Sequence, residues 1–244
     1  MDKLPIPNAP ESHLPIKPLS LHEMHDAATA RVSLISKEFT RGFNFLAHYP
    51  KSVTFFGSAR FAEDHPYYIQ ARDLGGRIAT ELNYTVVSGG GPGIMEAANR
   101  GAFEVGGESV GLTIELPDHQ VTNKYLTDEL ELYYFFSRKV CLSFSAEAYL
   151  FFPGGLGTLD EFFEIMTLVQ THKIESVPII LVGAEFWNNI DSLLKDKLLN
   201  EKTIDPLDTN LYTISDDISE ILDIIRNAPI RNGIKFEYKN SGEK

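Results

Sequence analysis

The sequence predicts an α/β fold in which helices cover both faces of a parallel β-sheet. Short β-rich runs alternate with helical segments from residue 52 onward, beginning with Ser52–Phe56, Tyr67–Leu82 and Tyr84–Val87. This alternation is typical of strand–helix–strand units. The run Ala148–Phe152 is continuously apolar, as expected for a strand that is buried on both faces. Together these observations indicate a Rossmann-like, doubly wound sheet.

Three appendages are expected around this nucleotide-binding domain, which we place at residues 50–228. Residues 1–19 are predicted to form an extended arm, because five of the 13 prolines of the chain lie there and proline fixes φ. Residues 20–49 are predicted to form one helix with an apolar stripe and a capping box that starts at Ser20. We expect the stripe to pack on the sheet domain, with a subunit contact as the alternative. Residues 229–244 are predicted to be a polar tail.

The charge balance excludes several classes of partner. The chain of 244 residues has a net charge of -12, and residues 51–226 alone contain 13 basic and 27 acidic side chains. Nucleic-acid backbones and anionic membrane surfaces require clustered positive charge, so we expect neither as a partner. We find no apolar run of about 18 residues and no secretory signal. The single cysteine, Cys141, excludes an internal disulfide, so we expect a cytoplasmic protein.

Two glycine-rich segments, residues 88–95 and 153–158, each join a predicted strand to a predicted helix. Glycine lets the backbone approach a ligand closely, and the start of a helix offers free N–H groups, so the two segments together indicate a site for a phosphorylated ligand. The alternative is a pair of tight turns. Neither segment is a P-loop, because no Gly-Lys-Ser/Thr follows.

A dinucleotide dehydrogenase remains an alternative on the residues alone. Ile94 stands where the third glycine of a G-x-G-x-x-G motif would fall, but Glu115 stands at the end of the third predicted strand and is placed to imitate the acid that holds an NAD ribose. The seven histidines show no spacing suited to metal ligands, so we expect no metal.

Arg138 and Lys139 are the only basic residues between residues 125 and 171. They stand together at the start of a predicted helix, where the helix dipole disfavours cations. One interpretation is a surface pair near acidic neighbours. The other is a guanidinium that reaches a phosphate or developing negative charge, for which the fork of arginine donors is suited.

Glu161 lies just inside the helix that follows the second glycine segment. Thr158-Leu159-Asp160-Glu161 fits a capping box, in which the fourth residue bonds back to the first. The alternative is a carboxylate aimed at the ligand, where it would stabilise a sugar cation or activate water. The nearby acids Asp160 and Glu164 would raise the pKa of one carboxyl group.

The segment 153–161, PGGLGTLDE, resembles the PGGxGTxxE motif of the Lonely Guy (LOG) family, whose members are often labelled lysine decarboxylase-like. Ser137-Arg138-Lys139 resembles the Arg-Lys pair of this family, and SGGGPGIM at 88–95 resembles its other glycine loop. The resemblance covers roughly residues 50–200.

The resemblance implies hydrolysis of purine nucleoside 5′-monophosphates, of cytokinin type or AMP, to a free base and ribose 5-phosphate, without a cofactor. It implies Arg138 and Glu161 as the catalytic pair and a homo-oligomer, a dimer or larger. The residues that it implies for binding the substrate and its phosphate are Gly57, Ser58, Gly90, Gly91, Lys139, Gly154, Gly155, Gly157 and Thr158. A nucleotide sensor without turnover is the alternative. We do not expect lysine decarboxylation, which would need a cofactor lysine and a partner for the pyridine ring.

Overall fold

The computed structural model describes residues 20–114 and 122–230, so the predicted arm (1–19), Glu115 and most of the predicted tail lie outside the described residues. The chain divides into two compact units between Lys37 and Glu38. Helix α1 (Leu21–Leu46) begins in the first unit and ends in the second. The predicted capping box is confirmed: the Ser20 N–H donates to Glu23 Oε2 at 2.8 Å, and the Glu23 N–H donates to Ser20 Oγ at 3.2 Å.

The second unit contains the predicted α/β domain. Its strands are β1 (Ser52–Phe56), β2 (Thr85–Ser88), β3 (Ser109–Ile114), β4 (Asp128–Leu132), β5 (Ala148–Phe151), β6 (Ile179–Leu181) and β7 (Thr213–Ile214). Its further α-helices are α2 (Pro66–Arg77), α3 (Ile94–Glu104), α4 (Phe135–Ser143), α5 (Leu156–Gln170), α6 (Ala184–Leu193) and α7 (Ile218–Arg226). Short π-helical segments continue α2 and α6, and a 3₁₀-helix spans Pro206–Asn210.

The strands form one sheet in the order β4-β3-β2-β1-β5-β6-β7, and every neighbouring pair in it is parallel. The chain adds strands outward from β1 to β4 and then returns to place β5 on the other side of β1. This is a topological switch point, and in doubly wound sheets ligands bind beyond the carboxyl ends of the strands at such a point. The predicted fold class is confirmed.

A hydrophobic core lies on each face of the sheet. Tyr149 and Phe151 of β5 point into the core that α4, α5 and α6 cover, where Phe162 and Trp187 are fully buried. Ala148 and Leu150 of the same strand point into the core that α2, α3 and α7 cover. Burial on both faces is why the strand sequence is continuously apolar rather than alternating.

The sequence misplaces the fourth strand, expected at Glu131–Phe135. The structure has β4 at Asp128–Leu132, and α4 already begins at Phe135. As an edge strand β4 is largely exposed, and its acidic residues hide it from a search for apolar runs. The two-residue strand β7 was not predicted, because it is too short to leave a pattern.

Candidate active site

A cleft of about 860 Å³ opens at the carboxyl ends of β1 and β5, at the switch point of the sheet. It is lined by residues from the loop after β1, the loop after β2, helix α4 and the start of α5. Of the predicted site residues, those that line it are Gly57, Ser58, Arg138, Lys139, Gly155, Gly157, Thr158 and Glu161. The structure therefore brings both members of the predicted catalytic pair and most of the predicted binding residues to one cavity.

The amino-terminal end of α5 forms an anion-binding surface in this cleft. Gly155 is the N-cap and offers no side chain, and the first bonded amide is that of Leu159, which donates to the Gly155 carbonyl at 3.1 Å. The N–H groups of Leu156, Gly157 and Thr158 therefore have no intrahelical acceptor. Free amides and the positive end of the helix dipole favour a phosphate at this place.

Ser58 ties three loops together beside this helix end. Its N–H donates to the Pro153 carbonyl at 3.0 Å, and its own carbonyl accepts from the Ile94 N–H at 3.0 Å. Gly93, with φ +70°, leaves room for this carbonyl, since a Cβ there would overlap it. Gly154 does not line the cleft but packs beneath it, where a Cβ would overlap the Thr158 hydroxyl. These contacts fix the loop backbones relative to one another.

Arg138 reaches from α4 across the ends of β2 and β3. Its Nε donates to the Leu112 carbonyl at 2.8 Å, and a terminal nitrogen donates to the Gly89 carbonyl at 3.4 Å. Burial lowers the pKa of the guanidinium, while the nearby Glu161 acts in the opposite direction. Arginine stays charged under such conditions, so the cleft contains a fixed cation that is held by backbone carbonyls.

Lys139 faces α5 instead of standing free in the cleft. Its Nζ lies 2.7 Å from Asp160 Oδ2 and 2.5 Å from Glu164 Oε2. Burial disfavours the charged ammonium, but the bonds to the two carboxylates outweigh this and raise the pKa of Lys139 well above its usual value. Lys139 is thus both a lining residue of the cleft and an ion-paired link between α4 and α5.

Glu161 does not cap its helix, so the capping-box interpretation of residues 158–161 is wrong. The cap is at Gly155, which puts Glu161 in the second turn of α5, facing the cleft. Burial raises the pKa of Glu161 to about 7; Glu164 and Asp160 add to the rise, and Lys139 and Arg138 oppose it. Within the described residues, its buried Oε2 has no hydrogen-bond partner. A carboxyl group in this state is available for a ligand.

The glycine loop after β2 contributes differently from the prediction. Gly90 and Gly91 line a very small cavity that shares Gly89 and Ile114 with the main cleft, and of the three glycines only Gly89 lines the cleft itself. Gly90 has φ +71°, a backbone conformation that favours glycine at this point of the loop. The predicted ligand contacts of Gly90 and Gly91 therefore stay predictions.

The cleft-lining side chains that are not among those predicted include Arg60, Met95, Phe135 and Leu142. Two of them follow from a pattern in the sequence, since Phe135 and Leu142 stand three before and four after Arg138 and so share its helix face. Arg60 follows Gly57-Ser58 in the loop after β1, and its N–H donates to Ser58 Oγ at 3.1 Å.

In the part of the chain that the structure describes, no three His, Cys, Asp or Glu side chains are grouped as metal ligands would be. Across the same residues, no helix combines the length and the apolar character that a membrane span requires.

A family model described as "Possible lysine decarboxylase" matches residues 95–225, more than half of the chain. The chain belongs to this family. The resemblance to the LOG family is confirmed by curated relatives. A cytokinin riboside 5′-monophosphate phosphoribohydrolase of Arabidopsis thaliana is 23% identical over 80% of this chain and 86% of its own length. An enzyme of the same name from Rhodococcoides fascians is 26% identical over 73% and 90%, and one from Mycobacterium tuberculosis is 29% identical over 62% and 81%.

Solved structures share the fold. An X-ray structure from a structural genomics consortium has a TM-score of 0.55 and 25% identity, and covers 72% of this chain and 98% of that one. The molybdenum cofactor carrier protein of Chlamydomonas reinhardtii has a TM-score of 0.52 at 20% identity, and covers 72% and 96%. At 20% identity, the similarity to the carrier protein shows a shared fold alone.

Proposed function

We propose that this member of the family hydrolyses the N-glycosidic bond of purine nucleoside 5′-monophosphates, of cytokinin type or AMP, to the free base and ribose 5-phosphate. The observation that supports this most strongly is the position of Glu161. A buried carboxyl group with a pKa of about 7 and an unpartnered oxygen shares one cleft with the open end of α5. The curated relatives are named for the same reaction on cytokinin riboside 5′-monophosphates.

The phosphate of the substrate binds at the start of α5, next to the N-cap Gly155, where Leu156, Gly157 and Thr158 offer free backbone N–H groups. Gly57 and Ser58 border the same end of the cleft. Binding the phosphate there fixes the ribose relative to Glu161, which lies one turn further along the helix. Such positioning contributes several kcal/mol to lowering the barrier.

Glu161 acts in its ionised form. It accepts a proton from water as the water oxygen attacks C1′, and its charge stabilises the ribosyl cation that develops. The bond between C1′ and the base nitrogen breaks, its electron pair passes to the base, and the base takes up a proton from solvent, to which Glu161 then returns the proton that it took from water. A pKa near 7 suits this role, because the carboxylate is both populated and basic at neutral pH.

Arg138 provides the fixed positive charge. Its guanidinium is held by the Leu112 and Gly89 carbonyls, so it needs no reorganisation when negative charge gathers in the cleft. Lys139 acts through Asp160 and Glu164, whose charges it neutralises beside Glu161.

The family description names a lysine decarboxylase, and the state of Lys139 argues against that chemistry here. A lysine that forms a Schiff base must lose its proton readily. Lys139 is ion-paired twice, and its pKa is raised, so the amine is kept protonated. Among the described lining residues of the cleft, Lys139 is the one lysine.

The test is a panel of nucleoside 5′-monophosphates that includes AMP and isopentenyladenosine monophosphate, with free base measured by chromatography. Adenosine, which lacks the phosphate, is the matched control and should be a far poorer substrate. Tight AMP binding without release of base would favour the sensor. Binding of NAD(P)H, detected by its fluorescence, would favour the dehydrogenase.

We also propose the assembly and organisation expected from the sequence: a cytoplasmic homo-oligomer that needs no cofactor, with residues 50–228 as the catalytic domain. Tyr133, Phe135 and Phe136 form an exposed aromatic group beside the cleft, with exposed fractions of 64%, 59% and 45%. Exposed aromatic clusters of this kind mark contact surfaces. Light scattering of the purified chain tests the oligomer.

A further inference from the structure

Glu38 is a buried carboxylate that the proposed reaction does not use. It lies in the second half of α1 and is 7% exposed. Its Oε1 accepts from the Tyr133 N–H at 2.5 Å, its Oε2 accepts from the Tyr134 N–H at 3.1 Å, and the Ser137 hydroxyl also donates to Oε2. Burying a charge without hydrogen-bond partners would be costly, so these three donors are what stabilises the Glu38 carboxylate in its buried position.

These three donors surround the amino-terminal end of α4. Tyr134 is the N-cap of α4, and its side chain makes no capping bond. The carboxylate of Glu38, which comes from another helix, accepts from the backbone N–H groups of Tyr133 and Tyr134 at the entry to α4 and sets a negative charge against the positive end of the helix dipole. The orientation at which the chain enters α4 is therefore fixed by α1.

Further contacts hold the same part of α1 against α4. Gly42 lies so close to Cys141 that a Cβ at position 42 would overlap the Cys141 sulfur. The Phe43 and Phe144 rings meet edge to face, 6.0 Å apart. Burial, and then the charge of Glu38, raise the pKa of the Cys141 thiol to about 11. Residues of α1 therefore contact α4 at its start, its middle and its end.

The cleft lies on another face of α4. Phe135, Arg138, Lys139 and Leu142 line it, while Ser137 and Cys141 face α1. Ser137 immediately precedes Arg138, so a change in the entry to α4 moves the guanidinium relative to the Leu112 and Gly89 carbonyls that hold it. A displacement of about 1 Å at a catalytic group can reduce the rate by about a hundredfold.

We propose that Glu38 is a positioning residue: through Tyr133, Tyr134 and Ser137 it sets the start of α4 and thereby the place of Arg138 in the cleft. This rests on the proposed function. It gives the second half of α1 a role in the reaction, although α1 contributes no side chain to the described lining of the cleft.

Glu38→Gln tests the proposal, because the amide keeps the size of the side chain but removes the charge and one acceptor oxygen. Glu23→Gln is the matched control: Glu23 is a carboxylate at the exposed start of the same helix, bonded to Ser20. Two experiments compare the variants. The first measures hydrogen–deuterium exchange of peptides that cover residues 133–139. The second measures kcat and KM for AMP well below the melting temperature.

In Glu38→Gln we expect exchange at 133–139 to quicken by about tenfold or more. We expect kcat to fall by about tenfold or more with KM changed less than about threefold. Glu23→Gln should match the wild type in both measurements. A Glu38→Gln variant that melts earlier but keeps the wild-type kcat has lost only stability, and this result would overturn the proposal. Unchanged exchange at 133–139 would also overturn it.

The proposed function and the role of Glu38 can be refuted separately. If the wild type releases no base from any nucleotide, the proposed function is wrong and the inference falls with it. If the wild type is active and Glu38→Gln is equally active, only the inference is wrong. Where Glu38→Gln does not fold, Ser137→Ala removes one of the three donors and takes its place in both measurements, with the same changes expected in smaller degree.

Discussion

The Glu161→Gln variant should be more stable than the wild type at about pH 8, and the difference should disappear in acid. Folding buries Glu161, which favours the protonated carboxyl group and raises its pKa from 4.5 to about 7. A raised pKa means that the ionised form is penalised in the folded chain. Below about pH 4.5 both the folded and the unfolded chain hold the proton, so ionisation costs the folded chain nothing. The free-energy penalty grows between pH 4.5 and 7 and is complete above that range.

The size of the effect follows from the same change. Each tenfold change in proton affinity, which is one pKa unit, corresponds to about 1.4 kcal/mol, so the full free-energy penalty is about 3 kcal/mol at pH 8. Glutamine is neutral and removes it, but the new amide in the cleft needs partners of its own. We therefore expect a net gain of roughly 1–3 kcal/mol in the free energy of unfolding. In a chain of this length, each kcal/mol raises the melting temperature by about 2–4 °C.

Thermal unfolding followed by circular dichroism at about pH 8 and pH 4 measures this difference. Glu164→Gln is the control: the Glu164 carboxylate is ion-paired with Lys139, so its removal should bring no gain at pH 8. A Glu161→Gln variant that melts at or below the wild-type temperature at pH 8 would show that burial does not penalise the ionised carboxylate. A variant that keeps the same advantage at both pH values would show that its stability does not depend on the titration of Glu161.

The remaining predictions concern the reaction and the packing. For AMP hydrolysis, kcat/KM should rise with pH through about 7 as Glu161 ionises, and Glu161→Gln should lose this limb of the profile. Gly101→Ala should lower the free energy of unfolding by about 2 kcal/mol or more, because a Cβ there would overlap the Arg72 carbonyl. Gly157→Ala, which meets nothing within 4 Å, should leave the melting temperature nearly unchanged. Asn99→Ala should cost about 2 kcal/mol or more in denaturant unfolding, since buried Asn99 bonds to serine and asparagine side chains that would lose their partner.

The general position of the site can be predicted from the sequence, because it depends on local signals. Glycine and proline mark where strands end, and in a parallel sheet those ends share one edge. Residues 57–58 and 155–158, from two of the predicted glycine segments, therefore meet in the cleft. Arg138 and Glu161 reach one cleft for the same reason, because α4 precedes β5 in the chain and α5 follows it.

The partners and orientations of the site residues cannot be predicted from local sequence patterns. Residues 158–161 fit a capping box, yet the helix has its N-cap at Gly155, three positions before the expected cap at Thr158, and this frees Glu161 for the cleft. Lys139 is held by carboxylates on a helix 20 or more residues away in the chain, so its ion pairs depend on tertiary packing. The orientation of Gly90 depends on its positive φ, which the sequence permits but does not specify.

The most direct test of the account compares AMP hydrolysis and AMP binding in the wild type and in Glu161→Gln at about pH 8. Base release is followed by chromatography and affinity by calorimetry. The account predicts that the wild type releases adenine and that the variant is slower by about a hundredfold or more. It also predicts that the variant binds AMP at least as tightly, since the phosphate site at the start of α5 is untouched and a negative charge has been removed. A Glu161→Gln variant that turns over AMP at the wild-type rate would contradict the account.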